Sequence, residues 1–377
     1  MPFSRRGFLE FTALASQVGA AQTQQDPALR DGPASSEFHA VSLAGTCAFG
    51  ELAGSAISAS MKEAVAKAPR GACVHWGIPF EVGRPTVLQA ATVFEQFRPF
   101  RAGWLVFLHT MDAEPLERDA RGFIHPMRGE GRLAELAAEY IVVYSDGTEE
   151  ATQIRRRHQI GAFRTLYGDT CFQAVAHIKP FPVRPLHEQS PNFYGWGGGE
   201  MRGRILDRGP WVNWVWAWKN PQPEKEIAAL RLVPRSGCVI ISGLAAGEAG
   251  TNPLQWRGRR KAILTLPEGL AFDFGVDHLG RRKQIQMDMG QIISVEPKRL
   301  YDAAKWTGAP EAPGRSTREV LVEYTCHPEA RFHLWDGSIV RVSEEEAGAA
   351  HRLRNVPPAT HRVRVRVLDA AARKPVP

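Results

Sequence analysis

The sequence predicts a mainly β protein: a β-sandwich on the N-terminal side, followed by a second, smaller β-domain. Three observations carry that expectation. The stretch Trp211-Val-Asn-Trp-Val-Trp-Ala-Trp-Lys219 sets Trp214, Trp216 and Trp218 at every second position, which is the period of an extended strand. Asp146-Gly147 and Asp336-Gly337 each separate two strand-forming runs, and Asp-Gly tolerates the positive φ values of a tight hairpin turn. Finally, 35 glycines and 27 prolines in 377 residues favour turn-rich β architecture over helix bundles.

Composition bounds the class. A chain of 377 residues holds two or three domains with well-formed cores, and 44% hydrophobic with 23% charged residues are globular values that exclude wholesale disorder. The formal charge of +7 is spread along the chain. It permits contact with an acidic polymer, but no nucleic-acid motif accompanies it, so nucleic acid is not an expected partner. Cys47, Cys73, Cys171, Cys238 and Cys326 lie far apart with no C-x-x-C pair, which removes zinc-ribbon and thioredoxin-like motifs. Buried thiols are the expectation over a Cys47–Cys73 disulfide.

In chain order, Ser4-Arg5-Arg6-Gly7-Phe8-Leu9 resembles a twin-arginine export signal, and Ala20-Ala21 supplies a small-residue cleavage site. Residues 1–21 therefore read as a signal peptide, and the protein as periplasmic or secreted. With Glu10 and Gln17 the segment is too short and polar to span a membrane, so no integral membrane segment is expected once the signal is removed. Residues 22–37, rich in Gln, Asp, Pro and Ser, read as a linker. Ser60-Met-Lys-Glu63 has the form of a capping box, and Met61, Ala64, Val65 and Ala68 then share one helix face. Cys73 to Gly83 reads as one strand interrupted at Gly77 and Pro79.

Trp104 to His109 is a continuous apolar run of strand length, and residues 139–154 form a hairpin about Asp146-Gly147. Residues 161–210 carry many breakers and read as a long loop. On the tryptophan strand, Asn213, Val215, Ala217 and Lys219 form the second, solvent-side or half-buried face, and core packing of the indoles is favoured over a ligand platform. Residues 225–233 and 238–242 complete the first region, 38–256, with a boundary in Gly247 to Trp256. The second region, 257–357, contains expected strands at 262–266, 271–276, 283–289, 320–325, 330–334 and 338–342. Residues 358–377 begin with a strictly alternating segment, either an edge strand or the opening strand of a truncated immunoglobulin-like domain.

Four segments follow one another in the first region. They are Gly77-Ile-Pro-Phe80, Trp104-Leu-Val-Phe-Leu-His-Thr110, Tyr140 to Glu149 with its Ser-Asp-Gly-Thr turn, and Trp218-x-Asn-Pro-x-Pro-x-x-Glu-Ile227. As an ordered set they resemble a galactose-binding-like β-sandwich, similar to carbohydrate-binding modules, attached to large exported bacterial hydrolases. The tail from Val365 to Pro377 resembles the first strand of an immunoglobulin-like or carboxypeptidase-regulatory-like domain. The combination resembles the N-terminal region of metal-dependent hydrolases of the PHP superfamily, similar to carbaryl hydrolases. The resemblance implies a carbohydrate ligand, or a catalytic domain or partner chain that the module positions. The His and Asp cluster of such a hydrolase is missing from this sequence, so its activity is carried onto no residue here.

The residues themselves offer no catalytic motif. The twelve histidines form neither H-E-x-x-H nor His-x-His, and neither a G-x-S-x-G elbow nor a phosphate-cradling Gly-Lys-Ser/Thr loop occurs. Paired carboxylates for glycoside cleavage are defined by distance in space, not in sequence. Asp273, Asp277 and His278 read as a solvated turn ahead of a cation site. No metal ligand is assigned, although a structural calcium held by loop oxygens leaves little sequence trace. A sugar presents C–H groups on one face and hydroxyls on its edge, so aromatic residues with polar neighbours near loops are the ligand candidates: Trp76, Arg84, Tyr194, Trp196 and Asn220. The expected function is a non-catalytic binding or accessory module. A hydrolase of glycans, esters or amides with a site built from distant loops is the alternative, and a scaffold without ligand is a third reading.

Overall fold

The computed structural model describes residues 29–54, 56–113, 119–123, 132–164, 170–180, 182, 184–185, 200–201, 210–300, 314–358 and 370–371. The export segment 1–21, the loop carrying Tyr194 and Trp196, and the alternating segment 361–369 lie outside the described residues.

The described chain is mainly β. The N-terminal strands are β1 (Phe38–Val41), β2 (Gly71–His75), β3 (Ile78–Val82), β4 (Thr86–Leu88), β5 (Val93–Phe100), β6 (Trp104–Met111), β7 (Leu136–Tyr144) and β8 (Glu149–Arg155). There follow β9 (Ala174–Ala176), the short pair β10 (Arg184–Pro185) and β11 (Glu200–Met201), β12 (Trp214–Lys219), β13 (Ile227–Pro234) and β14 (Val239–Gly247). The C-terminal region holds β15 (Arg260–Thr265), β16 (Ile285–Met287), β17 (Gly290–Leu300), β18 (Gly314–Cys326), β19 (Arg331–Leu334), β20 (Ile339–Arg341) and β21 (Leu353–Val356). Among the described residues two short α-helices, α1 (Ala59–Val65) and α2 (Val342–Glu346), and a 3-10 turn at Phe49–Gly54 accompany them. No helix among the described residues is long and apolar enough to cross a membrane.

Antiparallel pairing gives two large sheets in the first region, β1-β14-β6-β12-β9 with β4 beside β14, and β5-β13-β7-β8, beside the two-stranded β2-β3 and β10-β11. Register follows from the apolar pattern: Trp214, Trp216 and Trp218 sit opposite His109, Phe107 and Leu105 of β6. That face meets Tyr140, Val142, Tyr144, Leu230 and Leu232 of the other sheet in one buried cluster. The opposite face departs from expectation. Val215 and Ala217 are buried, and so are Val106, Leu108 and Ala245, because the hairpin β2–β3 and helix α1 cover that side as a third layer. Lys219 alone of β12 is exposed, so the strand is internal on both faces.

The second region pairs β17-β18-β15-β21 and β16-β19-β20. Its apolar residues Ala262, Leu264, Ile285, Tyr324 and Phe332 belong to the same cluster as Phe80, Met61 and Val215. The stretch 247–256 is thus a turn in the chain, and the core runs on past it.

Several local expectations change for identifiable reasons. Cys73 to Gly83 is a hairpin, not one strand: Trp76 and Gly77 adopt φ of 58° and 83°, the two left-handed residues of a tight two-residue turn. Helix α1 is capped by Ser58, whose Oγ accepts from the Met61 N–H at 3.1 Å, so Ser60 is already inside the helix. The expected buried face of α1 forms with Met61, Ala64 and Val65, while Ala68 is buried in the turn beyond the helix end. Residues 271–276 make no strand, because side chains take up their backbone: Gln284 Oε1 accepts from Asp273 N–H, and Asp273 Oδ1 from Gly275 N–H. Residues 29–37 also pack against the body, where Leu29, Asp31 and Ser35 are buried and Arg30 bridges Val74.

Candidate functional site at the junction of the two regions

The sequence candidates come apart in space. Asn220 is buried and bonded at both amide atoms: Oδ1 accepts from Tyr144 OH at 2.6 Å and from Gln222 N–H at 2.9 Å, and Nδ2 donates to Ala102 O at 2.9 Å. Arg84 is exposed, and its Nε donates to Ala44 O at 2.9 Å, clasping two loops together. Trp76 is half-buried at the tip of β2–β3, where its indole N–H donates to Ala176 O at 2.8 Å. Neither Arg84 nor Asn220 joins Trp76 in a shared site, and Tyr194 and Trp196 lie outside the described residues. Asp273 is paired with Lys283 at 2.8 Å and Asp277 with Arg281 at 2.7 Å, so each acid of that turn is closed by its own cation.

Around Trp76, however, the fold gathers groups that the sequence does not connect. The Trp76-Gly77 turn presses onto the second region so closely that a Cβ on Gly77 would stand 2.5 Å from the Asp288 carbonyl. Trp76 packs on Trp256, ring centroids 4.5 Å apart. The Trp76 backbone N–H donates to both carboxylate oxygens of Asp31, at 3.1 and 3.0 Å. Lys179 stands beside them, its Nζ 3.5 Å from Asp31 Oδ1 and 3.3 Å from Asp288 O, and 5.7 Å from the Trp256 ring centroid. Both side chains of this ion pair are almost wholly buried, 5% exposed for Lys179 and 1% for Asp31. Asp288, also buried, accepts from Arg331 N–H at 2.8 Å and Met289 N–H at 2.6 Å, which ties β16 to β19.

Behind the pair lie two imidazoles, His75 and His177, with ring centroids 5.0 Å apart. His177 Nδ1 accepts from Asn213 N–H at 3.2 Å, so the ring is the Nε2–H tautomer. Burial pushes the His177 imidazole down to about 3 and the His75 imidazole well below its ordinary value, and both are neutral. Neither ring nitrogen of His75 finds a hydrogen-bond partner of good geometry, although the His177 backbone offers a weak polar contact. For Asp31, burial raises the carboxyl, with the Lys179 charge pulling the other way. A small cleft of about 30 Å³ opens alongside, lined among others by Asp31, Gly32, Lys179, Arg281, Arg282 and Gln291.

Chemically, this is a buried ion pair with neutral imidazoles behind it and a cationic cleft in front. Among the described residues no three of His, Cys, Asp or Glu are placed to hold a metal ion. Sequence reading missed Asp31, Lys179 and His177 because 31, 75, 179 and 288 are joined only by the third layer. The one available signal was Trp76-Gly77, since a Gly after a bulky residue between two apolar runs also reads as a hairpin tip. Comparison with known proteins finds no family model that matches the chain, and no curated protein matches it either.

Proposed function

We propose that this chain is an exported accessory module without catalytic chemistry of its own: a galactose-binding-like sandwich bearing a second β-domain, which engages carbohydrate or holds a catalytic partner in position. What supports this reading most is the fate of the chemistry-bearing side chains of the first region. His109 is buried, with Nε2 donating to Gln159 O at 3.0 Å and Nδ1 accepting from Tyr140 OH at 2.9 Å, and it stacks on Trp216 at 8° between ring planes. His75, His177 and Asn220 are likewise internal. Groups placed this way shape and stiffen a core, whereas a general acid or base has to reach a substrate proton.

The test is turnover. The purified chain is incubated with a panel of glycans, esters and amides, with and without added divalent metal, and binding is read on a glycan array and against a hydrolase supplied in trans. No turnover, together with saturable binding to a glycan or to the hydrolase, is the expected result. Metal-dependent turnover by the chain alone overturns the proposal.

A further inference from the structure

We infer that Lys179 anchors an oxyanion-binding subsite at the junction of the two regions, one that takes a single carboxylate or phosphate group. Charge-assisted N–H···O bonds normally close to about 2.7–2.9 Å. Among the described residues the Lys179 ammonium has nothing that near: its oxygen contacts stand at 3.5 Å (Asp31 Oδ1) and 3.3 Å (Asp288 O), and its third neighbour is the face of Trp256. Asp31, by contrast, is served at both oxygens by the Trp76 N–H. The carboxylate thus has the Trp76 N–H as a partner besides the lysine, while the ammonium is buried with long contacts only. Burial of a cation is costly unless further partners satisfy it.

The missing partner has a place to sit. The cleft in front of Lys179 is lined by three cations, Lys179, Arg281 and Arg282, against one carboxylate, Asp31. Arg281 is held in place by Asp277 at Nε and by Arg30 O at Nη1, 3.0 Å away. Space beside the ammonium is kept by Gly32, where a Cβ would lie 3.1 Å from Lys179 Nζ. About 30 Å³ is room for one or two water-sized groups, too little for a pyranose ring. The ligand is thus an anionic substituent, with the rest of its molecule lying outside the cleft. Lys179, Arg281 and Arg282 together, with Asp31 and Asp277 offsetting part of their charge, favour an oxyanion over a neutral hydroxyl in so small a volume.

The experiment is calorimetric titration of the full chain at constant ionic strength with inorganic phosphate, with acetate and with chloride as reference. Two variants accompany the native chain: Gly32→Val, which fills the space beside the ammonium, and Lys179→Met combined with Asp31→Asn, which removes both charges so that neither is left buried alone. Saturable binding of phosphate or acetate, weakened at least tenfold in both variants while they melt cooperatively, is the expected result. Preference for phosphate points to a phosphate ester, and preference for acetate to a uronate or other carboxylate. Binding of neither anion by the native chain, or equal binding in native and variant chains, overturns the inference. The accessory reading is independent of this one, since it fails on turnover and the subsite fails on binding.

Discussion

The two regions of this molecule reach stability by different routes. The first encloses a cluster of its own, from Val41 and Leu105 to Trp214, Trp216 and Tyr140, all contributed by its two sheets. The second has no such separate cluster among the described residues: its buried Ala262, Leu264, Tyr324 and Phe332 continue the cluster of Phe80, Met61 and Val215. Both regions bury ionisable groups: the first His75, His109, His177, Asp31, Glu95 and Asp112, the second His327, Asp288 and Glu345, the last of which accepts from Tyr324 OH at 2.9 Å. Ion pairs such as Arg260–Glu346 and Lys298–Glu319 lie toward its surface, where such pairs contribute about 0–1 kcal/mol each. The difference teaches that the first region has one core of its own and shares its other core with the second, which is completed by docking on the first. Shared apolar burial, with Gly77 seated on Asp288, holds the second region in place.

Acid should strike the first region hardest. Its His109 and His177 fall to about 4 and about 3 through burial, against an ordinary 6.5. An unfolded chain binds protons at these sites that the folded chain refuses, so stability is complete above about pH 6.5 and declines as pH falls toward 3. At about 1.4 kcal/mol per unit, each imidazole accounts for roughly 3–5 kcal/mol over that range. Burial raises Asp31 and Glu345, which act in the opposite direction as pH falls and offset part of the loss. Urea midpoints measured from pH 7.5 to pH 4 should drop steeply, and His109→Gln should flatten the curve. A midpoint that stays level across that range would remove the picture of neutral buried imidazoles.

Next in size is Trp216→Ala. The indole stacks on Phe107 at 5.4 Å and on His109, within a cluster that belongs to the first region alone. Truncation of so large a core side chain costs about 3–5 kcal/mol, read as a lower thermal midpoint for the first region. A loss under about 1 kcal/mol would mean that this interior yields, and the contrast between a region with a core of its own and one completed by docking would weaken.

What could be read from the sequence was what depends on near neighbours. The tryptophan strand, the β7–β8 hairpin with Gly147 at φ 81°, and the β19–β20 hairpin with Gly337 at φ 81° all follow from alternation and a turn dipeptide. Other features depend on distant partners and left weaker traces. β17 was hidden by Pro297, which is tolerated because the strand lies at a sheet edge and its register slips there. The second face of β12 looked half-polar because Asn213 stands on it, yet Asn213 is buried and accepts from Trp211 Nε1 and Ser242 Oγ. The junction cluster was invisible because it draws on four separate stretches, one of which, around Asp31, has the composition of a linker.

The smallest expected effect gives the sharpest test of the junction, because the chain carries its own control. Gly77 and Gly147 have nearly the same backbone, φ of 83° and 81°, and each occupies a tight hairpin turn. An alanine at either position pays the left-handed penalty of roughly 1–2 kcal/mol. Their surroundings are opposite: around Gly147 a Cβ meets nothing within 4 Å, whereas at Gly77 it meets the Asp288 carbonyl carbon and oxygen at 2.5 Å. Those atoms are backbone, anchored by the bonds of Asp288 to Met289 and Arg331, and they have no rotamer by which to move aside. Gly147→Ala should therefore lower one cooperative transition modestly. Gly77→Ala should cost roughly 1–3 kcal/mol more and split the melt, with the second region losing protection from hydrogen exchange before the tryptophan sheet does. Equal losses in the two variants would show that the tip of β2–β3 parts freely from Asp288, and that the second region stands without the first.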